Sequence, residues 1–285
     1  FNIGANGHLK WLPYKIMLSH TTYYGWFNQE YKEYPVQISG LLDLSLHEDV
    51  SKLPFTISAS LAFDAGSYGP KNFGAFISIS KKGAVNKLST KSGNNRAEFS
   101  KGFKYYLHWN TDANTPVHVT LNTAKGKEIK VLEDNKTLID TLKTFDISPK
   151  EFFTVKGKSG DDLNAWMIKP SSFDESKKYP MLMFVYGGPG INTVNDSWEY
   201  NNYFWWQSLA QQGYIVVSVD ARGTGYRGRD FKHSTYLQLG KYETEDQIAA
   251  AKVLGKRPYI DSERIGIFGW SYGGYMSSLC ITKGA

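Results

Sequence analysis

Six residues near the C-terminal end of the sequence, GWSYGG at positions 269–274, have the types and spacing for nucleophilic chemistry. Gly-x-Ser-x-Gly lies between an apolar alternating run, RIGIF (264–268), that reads as a short buried strand, and YMSSLCI (275–281), which can continue as a helix. Strand, sharp turn and helix make a nucleophile elbow: glycine at 269 and 273 lets the backbone close beneath an exposed Ser271 hydroxyl. The five-residue pattern alone arises by chance in roughly one chain in ten of this length. The strand, the helix and the additional Gly274 raise its weight as further demands of the same geometry. The chemistry is acyl transfer, in which a serine hydroxyl needs a base to take its proton, usually a histidine oriented by a carboxylate. The oxyanion formed on attack needs preorganised donors. One is the backbone N–H of Tyr272. The second is expected in YGGPG (186–190), where Pro189 has no N–H, leaving Tyr186, Gly187, Gly188 or Gly190. The Tyr186 phenol is a neutral donor at pH 7; a strand-end core aromatic is the other reading of that residue.

Such groups act together only if the fold brings them to one edge. MLMFVY (181–186) and YIVVSV (214–219) are near-continuous apolar runs, the pattern of strands buried on both faces, and NNYFWWQSLAQQG between them predicts a helix ended by Gly213. A second helix, from about Glu243 to Leu254, separates YIVVSV from RIGIF. Alternating strands and helices predict an α/β fold, a parallel sheet with helices on both faces and ligands at the strands' carboxyl ends. YGGPG and GWSYGG both fall at such ends. Before them, EFFTVKG (151–157) and LNAWMIKP (163–170) predict a hairpin over KSGDD.

Upstream the grammar is all-β. FTISASLAF (55–63), GAFISIS (74–80), KYYLHW (104–109), PVHVTLN (116–122) and EIKVLED (128–134) are β-rich, with KKGA, SKGF and TAKGK as turns. This spacing suits a sandwich, a barrel or propeller blades, and no clean repeat stands out. TLIDTLKTFDISPK (137–150) predicts a short helix and a linker, placing a domain boundary near residue 146. The division is 1–146 all-β, with 1–73 unassigned, and 147–285 α/β. The aromatics Trp11, Tyr14, Tyr23, Tyr24, Trp26 and Phe27 read as core or sheet surface rather than a stacking platform for bases.

Composition narrows the remaining classes. The 285 residues carry a net charge of +6, but the lysines fall in pairs at turn-like places (Lys81 and Lys82, Lys125 and Lys127, Lys156 and Lys158, Lys177 and Lys178), the pattern of solvated turns rather than a nucleic-acid face. Cys280 is the sole cysteine and reads as a small core residue on the helix after the elbow. Six histidines without metal-ligand spacing predict no metal, and no cofactor is expected. No apolar run approaches the ~20 residues of a membrane span. GTGYRG (223–228) fits the dinucleotide fingerprint, with Glu243 twenty residues on as the ribose carboxylate. The polar RDFKHSTYLQLG behind it and its place after a later strand weigh against that alternative.

In order and spacing, YGGPG, DARGTGYRGRDF (220–231), YLQLGKYETEDQIAAA (236–251) and RIGIFGWSYGGYMSS (264–278) resemble the catalytic domain of the dipeptidyl peptidase IV group in the prolyl oligopeptidase family. FSKGFKYYLHW through IKVLEDN resembles the last part of the β-propeller preceding that domain. The resemblance implies a truncated α/β-hydrolase domain behind the end of a propeller, and a serine peptidase releasing N-terminal dipeptides with proline or alanine second. It makes Ser271 the nucleophile and gives the oxyanion hole to the Tyr186 hydroxyl and the Tyr272 amide, with the Tyr272 side chain bordering the proline pocket. In the family the triad aspartate and histidine follow the serine. Here all six histidines precede it, so the chain reads as an inactive fragment. The Glu pair that holds the substrate's amino terminus has no secure match; Glu30 and Glu33 are its nearest candidates. Peptides are the expected partners, with a homodimer in the full-length protein and a periplasmic or extracellular location. The alternatives are another α/β-hydrolase, either an acylaminoacyl peptidase or an esterase, and a non-catalytic binding module.

Overall fold

The computed structural model describes residues 85–100 and 104–284, together with strand segments further upstream. Those segments are β1 (Ile16–Met17), β2 (Tyr23–Tyr24), β3 (Val36–Ile38), β4 (Asp43–Leu44), β5 (Ala59–Asp64) and β6 (Asn72–Ile79), followed by β7 (Val85–Lys87). β2, β3, β5, β6 and β7 form one antiparallel sheet in that order, and β1 pairs with β4. Glu30, Glu33 and the aromatics Trp11, Tyr14, Trp26 and Phe27 lie outside the described residues.

Next come β8 (Asn94–Phe99), β9 (Tyr105–Asp112), β10 (Thr115–Thr123) and β11 (Glu128–Glu133), an antiparallel meander in sequence order. A four-stranded meander is the unit of a propeller blade, the all-β architecture expected of this region. Its last turn is TAKGK, where Gly126 takes φ 88° and donates to Thr123 O at 2.9 Å. Lys125 and Lys127 are exposed in that turn, as are Lys156 and Lys158 around the later hairpin turn. Inside the meander His108 is buried, its Nε2 2.8 Å from Asn95 Oδ1. Burial first, and the charges of Lys91 and His118 after it, push the imidazole down from 6.5 to about 4.

Helix α1 (Lys136–Leu142) leads to a five-stranded sheet of β12 (Glu151–Lys156), β13 (Asp162–Ile168), β14 (Tyr179–Phe184), β15 (Ile215–Val219) and β16 (Ile260–Phe268), in spatial order β12-β13-β15-β14-β16. β12 and β13 form the expected hairpin, with Glu151 opposite Met167 and Lys156 opposite Asp162, and β13 runs antiparallel to β15. β15, β14 and β16 are mutually parallel, so their carboxyl ends share an edge.

Helices cover both faces of this sheet. On one, α2 (Tyr200–Gln211) packs Trp206 and Ala210 against Trp166, Ile168 and Val216. It ends as expected at Gly213, with φ 88° and its N–H on Ala210 O. On the other face, α4 (Tyr242–Leu254) packs Ala250 and Leu254 against Leu163, Met181, Met183, Ile215 and Val217. β15 is buried along its whole length, as the sequence predicts. β14 differs: Met181 and Met183 are buried, whereas Leu182 and Phe184 are half-buried. RIGIF differs too, since it closes a nine-residue strand at the sheet's edge among the described residues and leaves Phe268 41% exposed. A strand with one neighbour and partial helix cover cannot be buried on every side.

One charge cluster binds three of these segments together. Asp246 on α4, wholly buried, accepts Arg222 Nε at 2.8 Å, Arg222 Nη2 at 2.9 Å and the backbone N–H groups of Arg222 and Lys158 at 3.0 Å. The loop after β15, the β12–β13 turn and α4 therefore meet on one carboxylate. Asp246→Ala leaves the guanidinium with Glu245 at 3.4 Å and the Tyr242 ring at 4.6 Å and is expected to cost about 3–5 kcal/mol in urea unfolding. A loss under about 1 kcal/mol would show that the clamp contributes little. For His108 the folded imidazole stays neutral well below the pH at which the unfolded one charges. Its contribution is therefore whole above pH ~6.5 and lost as pH falls toward ~4, by up to about 1.4 kcal/mol per unit. Denaturation midpoints between pH 7 and 4.5 are expected to fall more steeply in the wild type than in His108→Gln.

Candidate active site

The turn after β16 is built on a close backbone approach. A Cβ at Gly269 or at Gly273 would lie well under 3.0 Å from the Val185 carbonyl oxygen, and one at Gly273 would also meet Tyr186 Cα at 3.2 Å. Both positions therefore exclude a side chain, and the turn seats directly on the end of β14. Gly274 is different. A Cβ there meets only Gly269 O at 3.5 Å, an ordinary contact, so the third glycine is not a steric requirement of the turn as the sequence suggested.

Between these glycines Ser271 takes φ 54°, a left-handed conformation for a residue with a side chain, and it is exposed. Its carbonyl accepts the N–H groups of Gly274 at 2.9 Å and Tyr275 at 3.2 Å, which launches α5 (Tyr272–Gly284). The Tyr272 amide opens that helix, where no preceding turn supplies a carbonyl to accept it. α5 sinks Met276 and Cys280 against Val185. Cys280 is thus the packed core residue expected, and burial pushes its thiol up to about 11.

The Val185–Tyr186 peptide that receives the turn also begins the YGGPG loop. Val185 N–H extends the ladder to Phe268 O at 2.9 Å, so the loop leaves the sheet at Tyr186. The Tyr186 ring folds over the loop: a Cβ on Gly188 would fall 2.5 Å from its Cε1. Its centroid stands 6.2 Å from that of Tyr272. Tyr186 is half-buried rather than sealed in the core. Of the backbone donors left open by sequence, Gly190 is occupied, since its N–H donates to Gly223 O at 2.7 Å.

The loop's continuation is fastened to β15. Asp220, at the end of that strand, is buried and accepts Asn192 Nδ2 at 2.8 Å, Thr193 N–H at 2.8 Å and Thr193 Oγ1 at 3.0 Å. Burial raises its carboxyl above the usual range, against the lowering effect of these donors. Asn192 Oδ1 in turn accepts Gly225 N–H at 3.0 Å. Further on, Asp196 accepts the Ala113 N–H at 2.9 Å and Trp198 N–H donates to Thr111 Oγ1 at 3.2 Å, which docks the β9–β10 turn on this loop.

GTGYRG, the dinucleotide alternative, does not open a long helix: α3 (Gly228–His233) has six residues. Glu243 is not poised for a ribose either. It is fully buried, and its Oε1 accepts the Tyr272 hydroxyl at 2.9 Å. Sequence reasoning noticed Glu243 and missed this role, as it missed Asp220 and Asp246. The signal available was the acid pair Glu243 and Asp246, three apart at a helix start, which places both on one face. The histidines within the described residues sit elsewhere: His108 on Asn95, His118 with Nδ1 3.3 Å from Lys91 Nζ, and His233 at the end of α3. Among the described residues no group of three or more His, Cys, Asp or Glu could hold a metal ion, and no helix is long and apolar enough to cross a membrane.

Residues 200–285 match the prolyl oligopeptidase family. Among curated proteins the chain is similar to "Prolyl endopeptidase FAP" of Bos taurus, 41% identical over 191 residues, which is 66% of this chain and 24% of that protein. It is 40% identical over 201 residues to "Probable dipeptidyl-aminopeptidase B" of Arthroderma benhamiae, covering 70% of this chain and 22% of that one. Among solved structures, dipeptidyl peptidase 4 of Porphyromonas gingivalis superposes with a TM-score of 0.74 at 40% identity, over 81% of this chain and 32% of its own. A putative dipeptidyl aminopeptidase IV of Bacteroides ovatus follows at TM-score 0.67 and 28% identity, over 80% and 32%. The chain thus spans about a quarter of the curated relatives and a third of the solved ones.

The steric asymmetry of the glycines is directly testable. Gly273→Ala is expected to lower stability by at least about 2 kcal/mol in chemical denaturation, because its Cβ meets backbone that cannot swing aside. Gly274→Ala is expected to be neutral or to stabilise by up to about 1 kcal/mol, through helix propensity. Equal losses at both sites would contradict the packing described.

Proposed function

Because the chain belongs to the prolyl oligopeptidase family, we propose that its α/β-hydrolase part, residues 147–285, carries the nucleophile and oxyanion donors of a serine peptidase that releases N-terminal dipeptides ending in proline or alanine. The observation that carries this reading is the exposed Ser271 at φ 54°, flanked by Gly269 and Gly273, which seat the turn on the end of β14, Gly273 against Tyr186.

On this reading Ser271 Oγ attacks the carbonyl carbon of the substrate's second residue, and its proton passes to a general base. The tetrahedral oxyanion takes hydrogen bonds from the Tyr272 N–H and the Tyr186 hydroxyl. Collapse breaks the C–N bond, the leaving amine takes the proton, and water then hydrolyses the dipeptidyl ester on Ser271. That base is a histidine oriented by a carboxylate, and among the described histidines His108 and His118 are engaged elsewhere. The all-β part, with its boundary near residue 146, is the end of a propeller that walls the site. The whole protein acts on peptides outside the cytoplasm and can dimerise; kinship alone supports these two statements.

The test uses the protein expressed from its whole reading frame. Ser271→Ala is expected to abolish both fluorophosphonate labelling and hydrolysis of a Gly-Pro anilide. Tyr186→Phe is expected to lower kcat about 10²–10³-fold with little change in KM. Undiminished labelling of Ser271→Ala would refute the nucleophile assignment. Faster hydrolysis of an acetyl-Ala substrate than of Gly-Pro would move the enzyme to the acylaminoacyl peptidases.

A further inference from the structure

Nothing in the acyl-transfer scheme above uses Glu243, although this carboxylate is fully buried beside the elbow. One oxygen accepts the Tyr272 hydroxyl; the other has no hydrogen-bond partner among the described residues. Burying a carboxylate with half its acceptor capacity unused is costly, so the one bond it makes has a steep counterweight. The rest of the ring is equally constrained. Tyr275 packs edge-on against Tyr272 with centroids 5.4 Å apart, and Tyr186 stands on another side at 6.2 Å. Gly240, φ 79°, brings its backbone against Tyr275, where a Cβ would overlap the hydroxyl. Burial first, and then the carboxylate, raise the Tyr272 phenol well above its ordinary value, which keeps it a donor at every physiological pH. α4 cannot drift, because Asp246, one turn after Glu243, is held by Arg222.

A tyrosine ring has two torsions, and a bond at its tip fixes both. We propose that Glu243 is a positioning residue for substrate selection: through the Tyr272 hydroxyl it fixes that ring as the wall against which the side chain on the acyl side of the scissile bond must fit. This rests on the assignment of Ser271 as nucleophile. The ring is pinned at its hydroxyl and shares only its Cα with the amide that faces the oxyanion. Loss of the pin should therefore blur discrimination between acyl side chains far more than it slows reaction with a reagent that has none.

The experiment compares the whole protein's kcat/KM on Gly-Pro and Gly-Ala anilides with its second-order rate of labelling by a small alkyl fluorophosphonate. In Glu243→Leu, kcat/KM on Gly-Pro is expected to fall about tenfold or more, mainly through KM, while labelling changes less than about threefold. Glu243→Gln, whose carbonyl still accepts the phenol proton, recovers most of the loss. Tyr272→Phe reproduces it, and the double variant Glu243→Leu with Tyr272→Phe is no worse than Tyr272→Phe alone, the coupling expected when one residue acts through the other. Losses that multiply in the double variant, or peptide and labelling rates that fall together in folded protein, overturn the proposal. Absence of labelling in the wild type overturns the nucleophile assignment itself; normal labelling with multiplying losses overturns only the role of Glu243.

Discussion

The carbonyl oxygen of Val185 has no room for a methyl group at either position 269 or position 273, and this one close approach organises the site. It sets the height at which β16 turns into α5 and places the Tyr272 amide at a helix start. It also puts Tyr186, the first residue of the YGGPG loop, against Gly273 in the elbow. The contact is between backbones, so no side-chain repacking can relieve a substitution there. A geometry enforced by peptide against peptide is stiffer than one held by rotamers, which suits the proposed role of receiving developing charge without reorganising.

How much of this could be read beforehand depended on the range of the interactions. The elbow, α2, α4, β15 and the β12–β13 hairpin are local patterns, and each lies within a few residues of where its pattern places it. What the sequence hid is what depends on neighbours far along the chain. RIGIF looks like a buried strand because its residues alternate, yet its exposure is decided by its place at the edge of the sheet, and the polar DSE before it concealed that the strand begins at Ile260. Gly274 looked as necessary as Gly273 because both are glycine; only the position of Val185 separates them. Glu243, Asp246 and Asp220 were legible as acids but not as buried ones, because their partners lie 29, 24 and 28 residues away.

Those three carboxylates divide the labour of holding loops that have little regular structure of their own. Asp220 ties the continuation of YGGPG to the strand beside it, and Asp246 ties the loop after that strand to the opposite helix layer. Glu243 reaches the elbow from the same helix. Through Asp196 and Thr111 the β9–β10 turn is brought into the same assembly. The loop bearing Tyr186 is therefore braced from the sheet and from the all-β part at once.

Ser271 holds a conformation that glycine would adopt freely and that costs a residue with a Cβ about 1 kcal/mol or more. A lineage released from any need for the hydroxyl would gain robustness by losing it, and the substitution would leave the surrounding architecture intact. A glycine here in an otherwise unchanged descendant would mark abandoned chemistry, and serine retained across distant branches would be a record of continuous use.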